Sequence, residues 1–139
     1  MRSHLQTTTD LNAIATVLEW FTEVAAPLKP PELVWQAQII LVEGFTNAVR
    51  HAHHNLPAIT PIDLEMGIDE HQVELCIWDW GQPFDLNAKV QEMIRQEPAD
   101  PLEQEAGRGL ILMYKLTDEL HYTRDGNQRN CLVMRKHIL

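Results

Sequence analysis

Basic residues are scarce in this sequence, and they do not form a run. It contains 11 Lys and Arg against 20 Asp and Glu, which gives a formal net charge of −9. Binding to a nucleic-acid backbone relies on clustered Lys and Arg that contact phosphates. The scarcity therefore argues against a direct nucleic-acid partner, and we expect a neutral or basic protein as the partner instead.

Cysteines and long apolar stretches are also rare. Cys76 and Cys131 lie in separate strand-like segments without CxxC spacing, so we expect both to be reduced core thiols. No stretch approaches the roughly 18 consecutive apolar residues that would span a bilayer. We therefore expect a cytoplasmic protein with no membrane segment.

The composition is that of one folded domain. Hydrophobic residues make up 45 % of the 139 residues and charged residues 22 %, a balance typical of globular proteins rather than disordered chains. This length suits a single core. We therefore expect residues 1–139 to form one domain with one site.

The hydrophobic pattern predicts both strands and helices. Strands are predicted at residues 3–9, 60–67, 72–80, 119–124 and 131–138, and helices at 10–26, 32–53, 86–96 and 109–116. Asp125-Gly126-Asn127 is typical of a hairpin turn. Residues 85–106 are rich in Glu, Pro and Asp, and predict a mobile lid. The order predicts an α+β fold, a two-layer sandwich with helices on one face of a mixed, mainly antiparallel sheet.

Glu43 and Asn47 lie four residues apart in an apolar helical segment, with Arg50 and His51 on or beside the same stripe. Side chains at this spacing project from one face of a helix. A buried carboxylate is costly without a partner, and a metal-bound phosphate would supply one. The alternative is that the stripe faces solvent and both residues are ordinary surface groups.

Two further segments contain glycines where a ligand could approach. Asp79 ends a strand before Trp80-Gly81, so its carboxylate could accept a hydrogen bond from an exocyclic amine such as that of adenine. Gly107-Arg108-Gly109 precedes an apolar helix, and could offer free backbone N–H groups to phosphate. The alternatives are a plain strand-ending turn and a flexible helix entry.

Together these segments resemble the motifs of the Bergerat-fold ATP-binding proteins, which include gyrase, histidine kinases and MutL. Glu43-x-x-x-Asn47-Ala48-x-x-His51 resembles the N box, Asp79-x-Gly81-x-Pro83 the first glycine box, and Gly107-Arg108-Gly109-Leu110 the second. The resemblance covers nearly the whole chain. It is strongest to the anti-sigma factor serine/threonine-protein kinases.

The resemblance implies a role for each matched residue. Asn47 would coordinate Mg²⁺, Asp79 would contact the adenine amino group, and Gly81 would let the base approach. Gly107, Arg108, Gly109 and Leu110 would wrap the phosphates of ATP, and Arg108 could instead meet the protein substrate.

The remaining roles concern catalysis and the adenine. Glu43 would be the general base, since histidine kinases usually carry Asn there and a serine hydroxyl gains from a nearby carboxylate. Arg50 matches a position at which such kinases often carry a lysine near the phosphates of ATP. Thr123 is the stand-in for a threonine that supports the adenine in relatives, with Cys131 as a nearby alternative.

The resemblance predicts a kinase that uses Mg-ATP to phosphorylate a small antagonist (anti-anti-sigma) protein and that binds a sigma factor or similar target, usually as a homodimer. The main alternative is a non-catalytic nucleotide-binding module that sequesters a partner. A histidine kinase fragment is disfavoured, because Glu43 is not Asn. Zinc binding by His51, His53 and His54 is disfavoured because no cysteine accompanies them, and a frayed helix end or a phosphate-side histidine is the preferred interpretation.

Overall fold

The computed structural model describes residues 1–95, 101–126 and 128–138, and for residues 101–108 only the backbone. The strands are β1 Arg2–Thr8, β2 Pro61–Ile68, β3 Gln72–Asp79, β4 Glu119–Arg124 and β5 Asn130–His137. The α-helices are α1 Ile14–Val24, α2 Pro31–Asn47, α3 Leu86–Arg95 and α4 Pro101–Leu116. A short 3₁₀ helix, Leu11–Ala13, precedes α1, and a π-helical turn, Ala48–Ala52, follows α2.

The five strands form one sheet in the order β1-β2-β3-β5-β4. All four of its pairings are antiparallel. The predicted α+β fold is confirmed, although these pairings are antiparallel throughout where a mixed sheet was expected. Because β5 pairs antiparallel with β3, the last residue of β3 lies beside the first residue of β5.

The core lies between one face of the sheet and the helices. Alternate residues of β3, namely Val73, Leu75 and Ile77, are buried there, as expected for a strand with one covered face. Gly44 of α2 lies close to the sheet, since a Cβ on this residue would come within 2.6 Å of Ile77 Cδ1. This glycine therefore lets α2 pack tightly over the centre of the sheet.

The opposite face of the sheet carries polar and charged side chains. Arg2 pairs with Glu65 and Glu74, and Arg135 Nε lies 2.7 Å from Glu74 Oε2. Cys76 is buried as a free thiol, as predicted, and so is Cys131. Within the described residues, no helix is long and apolar enough to cross a membrane.

The predicted helix at residues 32–53 is interrupted near its end. The α-helix stops at Asn47 and continues as the π-helical turn, in which the His53 N–H donates to the Ala48 carbonyl at 2.9 Å. A π-helical turn contains one extra residue compared with an α-helical turn and is frequent at functional sites. Periodicity does not distinguish such a turn from a continuing α-helix.

The predicted lid is partly helical. The helical segment expected at 86–96 is confirmed as α3, but α4 begins at Pro101 rather than Gly109. The expectation of a loop at residues 101–106 was therefore wrong. Proline suits the first turn of a helix, and the following Leu, Glu and Gln are good helix formers. Residues 96–100 lie outside the described residues, so their mobility stays a prediction, and so does the turn position of Asn127.

Candidate active site

A cleft lies between α2, α3, α4 and the covered face of the sheet. It brings together residues of the three predicted motifs, with Asn47 from the first, Asp79 from the second and Leu110 from the third. The other residues that line it are Gly44, Ala48, Ile77, Phe84, Leu86, Met113, Tyr122 and Leu132. A mainly apolar cleft with a few convergent polar groups is typical of a small-molecule site.

Asp79 is held rigidly at the end of β3. Its side chain is 5 % exposed, and Oδ1 accepts hydrogen bonds from the Gly81 N–H and from Asn130 Nδ2, both at 2.9 Å. Both donors converge on Oδ1, and no donor among the described residues is recorded for Oδ2, which could accept from a further donor. The carboxylate is thus positioned to accept a hydrogen bond from a ligand amine.

Asn130 is a site residue that the sequence did not reveal. It is fully buried, pairs with Asp79 across β3 and β5, and also donates to the Gly81 carbonyl at 2.7 Å. Its carboxamide therefore ties Asp79 to the bend that follows it. The sequence could have indicated this contact only if the order of the strands had been known.

We expect Asn130→Ala to lower the free energy of unfolding by about 1–3 kcal/mol, because the buried Gly81 carbonyl loses the Asn130 donor and Asp79 Oδ1 loses one of its two donors. Denaturant unfolding monitored by circular dichroism measures the change. The matched control is Asn12→Ala at an exposed position, which should change stability much less. Equal effects of the two substitutions would contradict the role of Asn130.

Tyr122 adds a third polar side chain to the cleft, besides Asn47 and Asp79. In the described part of the chain, its hydroxyl is buried without a hydrogen-bond partner. Burial raises the pKa of Tyr122, and the Asp79 carboxylate raises it further, so the phenol is a neutral donor. A buried polar group without a partner is costly, and a ligand with an acceptor atom in the cleft would satisfy it.

Glu43 lies one turn before Asn47 on α2 and is half-buried. Its carboxylate lies against the α-carbon of Gly109 on α4, since a Cβ on Gly109 would collide with Glu43 Oε2 and lie 3.2 Å from Cδ. Only a glycine leaves room for the carboxylate in this position. The first and third motifs are thus in direct contact.

The position of the third motif in the structure differs from the prediction. Gly107, Arg108 and Gly109 lie inside α4 and not before it. Backbone N–H groups inside a helix donate to carbonyls of the preceding turn, so the predicted free N–H groups at a helix start are not observed. Arg108 has no described side chain, and its contact with phosphate or substrate stays a prediction.

Gly81 is needed for space rather than for an unusual backbone angle. It does not adopt a positive φ. A Cβ at this position would lie 2.8 Å from the carbonyl carbon of Ala52 at the end of the π-helical turn. The glycine therefore allows the bend after β3 to pack directly on the end of the first motif.

Thr123 is placed away from the cleft. Tyr122 and Leu132 line the cleft, and successive side chains of a strand point to opposite faces. Thr123 is exposed and, like Cys131, belongs to the opposite face. Neither residue lines the cleft, and the side chain that holds Asp79 is that of Asn130.

Arg50 and the histidines also differ from expectation. Arg50 and His51 are exposed on the π-helical turn and do not line the cleft. His53 is 1 % exposed and hydrogen-bonded on both ring nitrogens. The interpretation of His53 as part of a frayed helix end or as a phosphate-side residue is therefore wrong.

The start of the predicted lid closes one side of the cleft. The rings of Phe84 and Tyr122 have centroids 4.7 Å apart, and Leu86, the first residue of α3, is buried. Both Phe84 and Leu86 contribute to the lining. A ligand in the cleft would therefore contact the lid directly.

The model of the histidine kinase-like ATPase domain family matches residues 7–136. The chain belongs to this family. Membership of the histidine kinase-like ATPase family implies that the chain binds ATP, and it confirms the resemblance found from the three motifs.

Three similar proteins each carry the name serine-protein kinase RsbW. The Bacillus licheniformis protein is 33 % identical over 90 residues, which cover 63 % of this chain and 56 % of the relative. The Oceanobacillus iheyensis protein is 32 % identical over 105 residues, covering 74 % and 64 %. The Bacillus subtilis protein is 33 % identical over 85 residues, covering 60 % and 52 %. The chain thus matches between 52 % and 64 % of the length of these histidine kinase-like ATPase relatives.

Proposed function

We propose that this protein is an ATP-dependent serine/threonine-protein kinase of the anti-sigma factor type. The observation that supports this best is the position of Glu43, one turn from Asn47, beside a cleft whose other end holds Asp79. A carboxylate next to the expected phosphate position suits transfer to a hydroxyl group. A protein that only binds nucleotide would not require this carboxylate.

The residues at the two ends of the cleft have the chemistry that a magnesium-nucleotide complex requires. Mg²⁺ bound through nucleotide phosphates needs only one or two oxygen ligands from the protein, and the Asn47 carboxamide would supply one. Bound Mg²⁺ neutralises the phosphate charge that develops during transfer. At the other end, Asp79 would accept from the adenine amino group, while Ile77 and Leu132 would contact the apolar faces of the base.

Glu43 would act as the general base. Its carboxylate would accept the proton of the attacking serine hydroxyl, and Gly109 would keep it in place. Positioning of this kind matters because a displacement of about 1 Å can lower a rate by about 100-fold.

The proposed protein substrate is a small antagonist of the anti-anti-sigma class, and the second partner is a sigma factor or a similar target. The names of the three relatives, all serine-protein kinases, support serine as the acceptor. The net charge of −9 favours partners that are neutral or basic at the contact. A homodimer and a cytoplasmic location remain predictions.

Phosphoserine formation tests this proposal. The purified protein is incubated with Mg-ATP and a candidate antagonist, and the product is detected by mass spectrometry. We expect phosphorylated antagonist with Mg²⁺ and none when the metal is chelated. Binding of nucleotide and partner without any phosphoserine would instead support the sequestering module.

We expect Gly109→Ala to lower phosphoserine formation by roughly 10- to 100-fold, because the new Cβ displaces the Glu43 carboxylate. Folding should persist, since alanine is favoured over glycine inside a helix. The matched control is Gly126→Ala, where a Cβ would meet no atom within 4 Å. Wild-type activity of Gly109→Ala in the same assay would contradict the close contact with Glu43.

A further inference from the structure

His53 lies directly after the π-helical turn and is buried against the bend that follows β3. The extra residue of the turn places the His53 N–H on the Ala48 carbonyl at 2.9 Å, and the side chain is 1 % exposed. A buried histidine needs partners for both ring nitrogens. Its hydrogen bonds show which form of the ring is present.

The hydrogen bonds around the ring define one tautomer. The Trp80 N–H donates to His53 Nε2 at 2.7 Å, so Nε2 is an acceptor. The Thr9 hydroxyl donates to the Thr60 carbonyl at 2.7 Å, and its oxygen lies 2.8 Å from Nδ1. Since this hydroxyl hydrogen is already used, Nδ1–H donates to the Thr9 oxygen. The ring is therefore neutral and carries its proton on Nδ1.

The same ring completes the hydrogen bonding of the bend at residues 79–81. Asp79 accepts from the Gly81 N–H, Asn130 donates to the Gly81 carbonyl, and His53 accepts from the Trp80 N–H. The bend is thus held from β5 by Asn130 and from the end of the first motif by His53.

We propose that His53 is a positioning residue for nucleotide binding, which fixes the bend that carries Asp79 by accepting the Trp80 N–H on Nε2. The proposal rests on the proposed function, because it concerns the same nucleotide site. His53 does not line the cleft and acts through the bend. Thr9 sets the tautomer that makes Nε2 an acceptor.

A protonated ring cannot accept the Trp80 N–H. Burial lowers the pKa of His53 from its ordinary 6.5, and the Asp79 carboxylate opposes part of this shift. Among the described residues, Asp79 is the charged group that acts on the ring, while the Thr9 hydroxyl, the Thr60 carbonyl and the Trp80 amide are neutral. Because an unfolded chain takes up the proton first, stability falls as pH decreases below about 6.5 towards the folded pKa.

Two substitutions distinguish the hydrogen bond at Nε2 from the hydrogen bond at Nδ1. In His53→Gln, the longer carboxamide can place an oxygen near the position of Nε2 and accept the Trp80 N–H. In His53→Asn, the shorter carboxamide reaches only the position of Nδ1 and Thr9. The two side chains carry the same amide group, so a difference between them reflects which hydrogen bond is kept.

The test is calorimetric titration of each variant with Mg-ADP at about pH 7.5 and about pH 5.5. We expect His53→Gln to bind within roughly threefold of wild type at the higher pH and His53→Asn to bind roughly 10-fold more weakly. At a pH below the lowered pKa of His53, the wild-type protein should lose affinity that His53→Gln keeps, since only the wild-type ring loses its acceptor. A role in folding alone would leave the affinity of folded protein and its pH profile the same in wild type and variants.

The outcomes distinguish this inference from the proposed function. Equal ADP affinity of wild type and His53→Asn at the higher pH, or equally weak binding by His53→Asn and His53→Gln, would overturn the role of His53 alone. Failure of wild-type protein to bind ADP would overturn the proposed function and the role of His53 with it. If His53→Asn does not fold, Thr9→Val replaces it, with Thr9→Ser as its control. We then expect weaker ADP binding by the valine variant only, and equal binding would overturn the proposal.

Discussion

Replacing Glu43 with glutamine is expected to lower phosphoserine formation by roughly 10²- to 10⁴-fold, the usual contribution of a general base. ADP affinity should change less than about threefold, because glutamine keeps the size of the side chain and its contact with Gly109. The expected result is therefore a loss in kcat with little change in nucleotide binding. Single-turnover phosphorylation and ADP calorimetry on the same preparation measure the two quantities.

The control for this variant is Glu32→Gln, an exposed glutamate in the first turn of α2. It changes the net charge equally but lies at the opposite end of α2 from Glu43 and Asn47, so the kinase activity of this variant should match wild type. If Glu43→Gln retains wild-type activity, Glu43 is not the base. Equal losses in both variants would indicate a general effect of charge.

Replacing Asp79 with asparagine is expected to weaken ADP binding by roughly 100-fold. The amide places an NH₂ group where Asp79 now accepts from Gly81 and Asn130, or turns that group toward the ligand amine. In either orientation of the asparagine amide, two buried hydrogen-bond donors face each other, which costs about 2–3 kcal/mol of binding free energy. The charge-assisted hydrogen bond from the adenine amine is lost as well.

Asp69→Asn is the matched control for this prediction. Asp69 lies in the exposed turn between β2 and β3, where it accepts from the N–H groups of His71 and Gln72. An asparagine oxygen can accept from the same groups, so ADP affinity should not change. Unchanged ADP affinity in a folded Asp79→Asn protein would show that Asp79 does not contact the nucleotide.

The sequence was sufficient for most of the fold. Strict alternation on β2 and β3 and helical spacing on α1 and α2 are local patterns that burial on one face imposes directly. The order of strands in the sheet is not a local property. The position of β5 between β3 and β4 places Asn130 beside Asp79 and turns Thr123 away from the cleft. For this reason the sequence alone did not reveal that Asn130, rather than Thr123, lies beside Asp79 at the cleft.

Asn47 and Asp79 come from short continuous motifs and both line the cleft, while Glu43 lies one turn before Asn47 on α2. Contacts between motifs could not be predicted, because they depend on how elements pack. The contact of Gly109 with Glu43 follows from the packing of α4 on α2. The contact of His53 with Trp80 depends on the π-helical turn, which leaves no signal in hydrophobic spacing. The Glu, Pro and Asp residues before Gly109 suggested a loop, whereas the helix begins at Pro101.

Calorimetric titration of the wild-type protein with ADP and GDP, each with and without Mg²⁺, tests the central claim most directly. The claim is that Asp79 recognises an adenine amino group while Asn47 holds the metal on the phosphates. Guanine carries a carbonyl oxygen where adenine carries that amine, so it would face the Asp79 carboxylate with an acceptor. We predict Mg²⁺-dependent binding of ADP and at least roughly 100-fold weaker binding of GDP. Equal binding of the two nucleotides, or no binding of ADP with Mg²⁺ present, would contradict the account.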